Sequence, residues 1–267
     1  MSDHAATFRA LHVRGAPFIL ANAWDIGSAK MLQNLGAQAI ATSSAAHAFT
    51  LGKPDGVKRD EALTHAQDLI AAVDIPVSGD FENGFGETPD EVAETVRLAG
   101  EIGLAGICIE DIALPATSAY EPELAYERIR AAAFAARALS NDFFLVARAD
   151  GILRGEYDQA EALRRVKSFE EAGADGIYVP LPASWDDLAE ICAATTLPVN
   201  ALAAGEFTQR RLSEFAAIGV ARVSLGSSLA RVTQRAIFDT ANAMLQEGDF
   251  SPLAQGIAGS KIDALLE

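Results

Sequence analysis

EAGADGIYV, residues 171–179, ends a polar, helix-like run on a glycine, turns, and enters a short apolar run. Three other stretches repeat that order: NLGAQAIAT (34–42), EIGLAGICI (101–109) and AIGVARVSL (217–225). Glycine is the usual residue where a helix closes in a left-handed turn, so the recurring order is helix, cap, turn, strand. Working outward from these four gives eight apolar runs: FILANAW (18–24), AIATSS (39–44), IPVSGDF (75–81), AGICIED (105–111), FFLVARAD (143–150), DGIYVPL (175–181), PVNALA (198–203) and ARVSLG (221–226). Most are apolar throughout, as strands covered on both faces must be. Amphipathic segments lie between them. TPDEVAETVRLAGEIG (88–103) opens with Thr88 as cap, Pro89 in the first turn and Glu91 completing a capping box. SWDDLAEICAA (184–194) repeats the pattern with Ser184 and Asp187. FTQRRLSEFAAIG (207–219) and YDQAEALRRVKSFEEAG (157–173) carry apolar positions at helical spacing up to a glycine. Eight such units in about 230 residues predict an α/β fold of the closed (β/α)8 TIM-barrel type. The competitor, a doubly wound open sheet, often carries a glycine-rich GxGxxG loop after its first strand, and NAWDIGS (22–28) has none. The chain reads as one barrel domain, 1–267, with a tail, 249–267, that extends it.

The chain has 267 residues, half of them hydrophobic, and a formal charge of −16. That charge argues against a phosphate-backbone binder or a partner of anionic membranes, so neither nucleic acid nor membrane is an expected partner. Cys108 and Cys192 both sit in apolar segments and read as buried thiols of a reducing compartment. No basic segment followed by an apolar run opens the sequence, and no uncharged apolar run reaches membrane-spanning length, which makes the cytoplasm the expected location.

In a barrel of this kind, function gathers at the C-terminal ends of the strands. The third predicted strand ends in GDFENGFG (79–86). Residues two apart on a strand share a face at roughly 7 Å, so Asp80 and Glu82 both suit a hard cation, one directly and one through water. The next strand ends in Glu110, beside them in a barrel, and no lysine adjoins the three in sequence. Crowded carboxylates need a cation or a proton. Oxygen-only donors favour Mg²⁺, with Mn²⁺ as the alternative. Arg148, on the fifth strand, has two readings: a fork that clamps a substrate carboxylate, or a buried ion pair with Glu110 or Asp150. Ser43 and Ser44 end the second strand, where they either cap a turn or hold an oxyanion. Trp24 lines the pocket or simply packs. Asn200, on the seventh strand, ties down backbone or faces the site. His47 lacks an evident partner.

Taken together, NAWDIGSAKMLQNLGAQAIATSSAA (22–46), DIPVSGDFENGFG (74–86), GLAGICIEDIALP (103–115), FFLVARADG (143–151), EAGADGIYVP (171–180) and PVNALA (198–203) resemble the isocitrate lyase/phosphoenolpyruvate mutase superfamily over most of the chain. The resemblance implies Asp80 as the Mg²⁺ ligand, with Asp55, Glu82 and Glu110 reaching the metal through waters. It implies Ser43 and the backbone near Ala45 as oxyanion holders, Arg148 as the substrate arginine, and Asn200 near a polar position that some lyases use. Catalysis would then rest on Ser43, Glu110, Arg148 and Asn200, and substrate binding on Trp24, Ser43, Ala45, Arg148 and Asn200. The implied activity is a lyase that cleaves or decarboxylates a small 2-hydroxy or 2-oxo (di)carboxylate through a pyruvate-type enolate. Carbon–phosphorus chemistry, as in phosphoenolpyruvate mutase or phosphonopyruvate hydrolase, is the alternative, and a non-catalytic metal-dependent carboxylate-binding barrel is a third. The departure lies in the loop after strand four. The lyases carry Lys-Arg-Cys-Gly there, with the cysteine as acid or base; this chain reads ALPATSAYEPE (113–123), leaving Tyr120 or water as proton donor. Family members exchange their last barrel helix between subunits. With the long apolar stripe of SSLARVTQRAIFDTANAMLQEG (227–248), the resemblance implies a homotetramer, or a dimer; the other reading of that stripe is a helix that closes its own barrel.

Overall fold

The computed structural model describes residues 3–267. Eight parallel strands close into a barrel in sequential order: β1 Phe18–Asn22, β2 Ile40–Ala41, β3 Val77–Asp80, β4 Gly106–Glu110, β5 Phe144–Arg148, β6 Gly176–Tyr178, β7 Val199–Leu202 and β8 Arg222–Ser224, with β8 pairing back onto β1. All eight predicted strands are present, each shorter than its apolar run. β2 stops after two residues because Ser43 already caps the helix Ser44–Thr50, its Oγ accepting from Ala46 N at 3.3 Å.

The period of two separates an inner from an outer layer. On β5, Phe144 and Val146 join Phe18, Leu20, Cys108 and Tyr178 inside the barrel, while Leu145 and Ala147 face the helices. Strand spacing demands glycine at 106, since a Cβ there would stand 2.2 Å from the Phe144 carbonyl oxygen across the β4–β5 ladder. The helix Pro89–Glu101 starts on the predicted capping box, and Gly103, Gly173 and Gly219 take positive φ just past their helices. One helical expectation is corrected. Residues 207–219 are not one helix but a 3-10 turn, Gly205–Gln209, followed by the helix Leu212–Ala217. Arg210 and Arg211 are extended, and Glu214 caps the second segment by accepting from Arg211 N at 2.8 Å.

Below the barrel, the helix His4–Leu11 plugs the N-terminal mouth, with Phe8 buried edge-on against Phe18 and Phe144. At the other end of the chain, the helix Ser228–Asn242 buries only Ala230 and leaves Val232, Ile237 and Phe238 more than 60% exposed. The outward-facing Ile19 of β1 is also uncovered, at 49%. The tail helix Gly259–Leu266 returns to the helix Ile26–Asn34, where Lys30 Nζ and Asn34 Nδ2 donate to the carbonyls of Leu266 and Leu265. No described helix is long and apolar enough to cross a membrane.

Candidate functional site

The last residues of β3, β4 and β5 are Asp80, Glu110 and Arg148, all inward-facing at the C-terminal mouth. Arg148 Nη1 is shared between Asp80 Oδ1 at 2.8 Å and Glu110 Oε1 at 2.9 Å. Its Nε and Nη2 grip Asp150 bidentately, at 3.0 and 2.7 Å. The cation missing from the sequence neighbourhood of Asp80 and Glu110 thus arrives from the adjacent strand, and Arg148 makes both ion pairs of its buried reading. Burial works against its charge, but Asp150, Glu110 and the other surrounding anions outweigh it and hold the guanidinium well above its usual range.

Asp80 is aimed from its other side. Its Oδ2 accepts from Ser44 N at 3.1 Å and from Ser44 Oγ at 3.2 Å, and its own amide donates to Thr42 Oγ1 at 2.8 Å. Glu82 adopts φ 48°, in the left-handed region, a strain of about 1 kcal/mol or more that clusters at functional sites. Its Oε1 accepts from Val57 N at 3.3 Å. Burial, helped by the charges of Asp80 and Asp55, lifts the Glu82 carboxyl to about 7 despite that hydrogen bond. Burial likewise lifts Glu110 well above the carboxylate range; Arg148 opposes the shift, and Asp150 and Asp80 add to it. Glu110 Oε2 is buried and has no hydrogen-bond partner.

Two connected cavities meet at these residues. The deeper, of about 230 Å³, is lined by Ser43, Ala45, Asp80, Glu110 and Arg148 among others. The wider, of about 890 Å³, holds Glu82, Asn83 and Lys58, and shares Ser44, Asp55, Glu110 and Arg154 with the first. One wall of it is the loop after β4. There Ile112–Ala113 and Ser118–Ala119 form an antiparallel ribbon whose turn presents Leu114, Pro115 and Thr117. Beneath the ribbon, the buried Asp111 accepts from Arg165 Nη1 at 2.9 Å and Tyr157 Oη at 2.7 Å, and Arg165 also donates to the Tyr120 carbonyl.

The structure therefore brings Ser43, Ala45, Asp55, Asp80, Glu82, Glu110 and Arg148 together. It does not bring Trp24 or Asn200 to either cavity. Trp24 sits at the start of the following helix, its amide bonded to Ser28 Oγ. Asn200 is buried, and its amide group is engaged by Ser224 and Arg222. His47 has a partner that the sequence did not reveal, stacking on His65 at 3.8 Å. Tyr120 Oη accepts from Asn83 Nδ2 at 3.0 Å and lies outside the cavity linings. Cys108 and Arg222 line the deeper cavity and were missed. Period-two counting along ARVS would have found Arg222, since Val223 faces out and both its neighbours, 222 and 224, must then face in.

Among the described residues, no three His, Cys, Asp or Glu side chains converge tightly enough to hold a metal alone. The donor set nevertheless fits a hydrated divalent cation. Mg²⁺ keeps several waters and takes one or two protein carboxylates, and the orphaned Glu110 Oε2 is a buried acceptor awaiting a donor such as a metal-held water.

The sequence pattern of the family described as phosphoenolpyruvate phosphomutase matches residues 8–245. A Burkholderia cenocepacia J2315 structure, provisionally called a lyase/mutase, is 42% identical with a TM-score of 0.94, covering 97% of this chain and 94% of that one. The oxaloacetate decarboxylase of Pseudomonas putida is 28% identical over 247 residues, 89% of this chain and 83% of the relative. A phosphonopyruvate hydrolase solved with oxalate and Mg²⁺ superposes with a TM-score of 0.85, covering 99% of this chain and 95% of that one; at 23% identity the likeness is one of fold.

Proposed function

Because the chain belongs to the isocitrate lyase/phosphoenolpyruvate mutase superfamily, we propose that it is a Mg²⁺-dependent carbon–carbon lyase that cleaves or decarboxylates a small 2-oxo or 2-hydroxy dicarboxylate through a pyruvate-type enolate. The observation that carries this reading is the meeting of Asp80, Glu110 and Arg148 at the deeper cavity, with Glu110 Oε2 unsatisfied. When bound, the cation supplies Lewis-acid stabilisation of negative charge developing on a substrate oxygen. Asp80 holds it directly, and Glu82, Glu110 and Asp55 hold its waters. Ser44 fixes the Asp80 carboxylate so that the ligand is oriented before substrate arrives. Arg148, gripped by Asp150 and shared with Asp80 and Glu110, keeps one Nη2 hydrogen to donate to the substrate carboxylate, and its charge faces the same anion. Ser43 Oγ accepts from Ala46 N, which leaves its own O–H to donate to an oxyanion beside Ala45.

The ribbon at 112–119 carries no Lys, Arg, His or Cys, so it offers no cation for a migrating phosphoryl group and no thiol acid. Carbon–carbon chemistry with a water-derived proton is therefore favoured over carbon–phosphorus chemistry. Incubating the protein with Mg²⁺ and a panel of 2-oxo dicarboxylates, 2-hydroxy dicarboxylates and phosphonopyruvate, with NMR detection of products, tests the reading. Turnover of a dicarboxylate to a pyruvate-type product is expected. Turnover of the phosphonate alone would overturn the order, and metal-dependent binding without turnover of any compound would favour a binding barrel.

The exposed stripe of Val232, Ile237 and Phe238, together with the uncovered Ile19 of β1, supports exchange of the helix Ser228–Asn242 with a second copy of this chain. A homotetramer, with a dimer as its unit, is the proposed assembly, in the cytoplasm. A monomer mass in light scattering at micromolar concentration would contradict it.

A further inference from the structure

Residues paired along the barrel run Glu110, Arg148, Tyr178, Asn200, Arg222, one from each of β4 to β8. Arg148 ends its strand at the mouth, whereas Arg222 begins β8 and is 4% exposed. The deeper cavity is lined both by Arg222 and by Gly226 and Ser227 beyond the end of β8, so it descends the length of that strand. Arg222 forms its floor.

The protein holds this arginine with neutral acceptors. Nε donates to Asn200 Oδ1 at 2.9 Å. Nη1 lies 3.2 Å from His12 Nε2. His12 Nδ1 lies 2.8 Å from the Phe8 carbonyl, which can only accept, so Nδ1 carries the ring hydrogen and Nε2 accepts from Arg222. Burial and the neighbouring Arg222 charge push the imidazole down to about 2, so it is neutral and leaves the guanidinium charge in place. No carboxylate among the described residues forms an ion pair with Arg222. Burial lowers its guanidinium to about 10, and Arg148 adds repulsion; it remains charged at neutral pH. A buried cation without a counter-ion is costly unless something else supplies the anion.

We infer that Arg222 is a specificity-determining residue: its guanidinium, positioned by Asn200 and His12, binds a second anionic group of the substrate at the cavity floor. This rests on the lyase reading and sharpens it, because it selects dianionic over monoanionic substrates. The metal and Arg148 engage the reacting end at the mouth, and Arg222 takes the distal carboxylate. Asn200 thereby regains a part in function as a positioning residue rather than as a substrate contact.

The test compares wild type, Arg222→Met and Arg222→Lys by calorimetric titration with malate and with lactate in saturating Mg²⁺. Wild type is expected to bind the dicarboxylate at least about tenfold more tightly. Arg222→Met should collapse that ratio towards one with lactate affinity unchanged, and Arg222→Lys should restore part of it. Equal weakening of both ligands, or an unchanged ratio, would overturn the inference. Metal-free, ligand-free Arg222→Met should melt no lower than wild type, since a poorly compensated charge has gone; a fall of more than about 5 °C would mark Arg222 as structural and overturn it too. If wild type binds neither carboxylate, the lyase reading fails by itself. The floor is then judged with inorganic phosphate and sulfate: anion binding abolished in Arg222→Met supports Arg222 as an anion site, and no difference overturns it.

Discussion

Arg148 and Arg222 lie on one ladder inside one barrel, yet the protein treats them in opposite ways. Arg148 meets three carboxylates, and its charge is fixed by Asp80, Glu110 and Asp150. Arg222 meets an amide oxygen and a neutral imidazole, and its charge is left over. The mouth is accordingly an anionic cluster with more acid than base, and the floor is cationic with no acid. Each imbalance is unfavourable in a bare barrel, and each is relieved by the opposite partner, a divalent cation above and an anionic group below. On the proposed reading, a small anionic substrate carried with Mg²⁺ would relieve both.

The largest expected effect breaks the better-compensated half. Arg148→Met leaves Asp150 and Glu110 buried without their cation, and should destabilise the protein by about 3 kcal/mol or more, on the order of 10 °C in thermal melting. The contrast with Arg222→Met is the point: the same substitution on the same ladder should lower the melting temperature in one case and not in the other. Equal losses would mean that both arginines are simply structural.

A smaller effect reads the anionic half by pH. Glu82 has a carboxyl lifted to about 7, chiefly by burial, so in the metal-free protein the folded state holds its proton where the unfolded state has released it. Between the ordinary glutamate value and pH 7 the folded state binds more protons, and stability falls as pH rises through that window, by at most about 3 kcal/mol and less where water still screens the group. Glu82→Gln should flatten the slope in denaturant titrations at a series of pH values. Saturating Mg²⁺ should flatten it as well, by favouring the ionised form. An unchanged slope in the variant would remove Glu82 from the cluster.

How much of this could be read from the sequence divides along the same line. The strands and their order were legible because both faces of each strand are covered, which forces the apolar runs. The carboxylates were legible because they interrupt those runs at the one end where a barrel places function. Arg148 was legible as a residue but not as a hub, since its partners Asp80, Glu110 and Asp150 come from three strand ends that only barrel closure brings together. Arg222 passed unnoticed because a charge at the start of a strand resembles an ordinary solvent-facing end. Its neutral support comes from His12, 210 residues away, which reads as an unremarkable N-terminal histidine. Asn200 was singled out for its polarity, but its partners Ser224 and Arg222 were not legible, because its depth below the mouth depends on the stagger of the strands. The split of residues 207–219 at Arg210–Arg211 was hidden by an apolar spacing that continues through the break.

The central claim is that the cluster at the mouth is a cation site with Asp80 as its direct ligand. Calorimetric titration of Mg²⁺ into metal-free wild type and metal-free Asp80→Ala tests it most directly. Saturable binding in the wild type, weakened at least about tenfold in the variant, is the predicted result; equal affinity in the two proteins would contradict it.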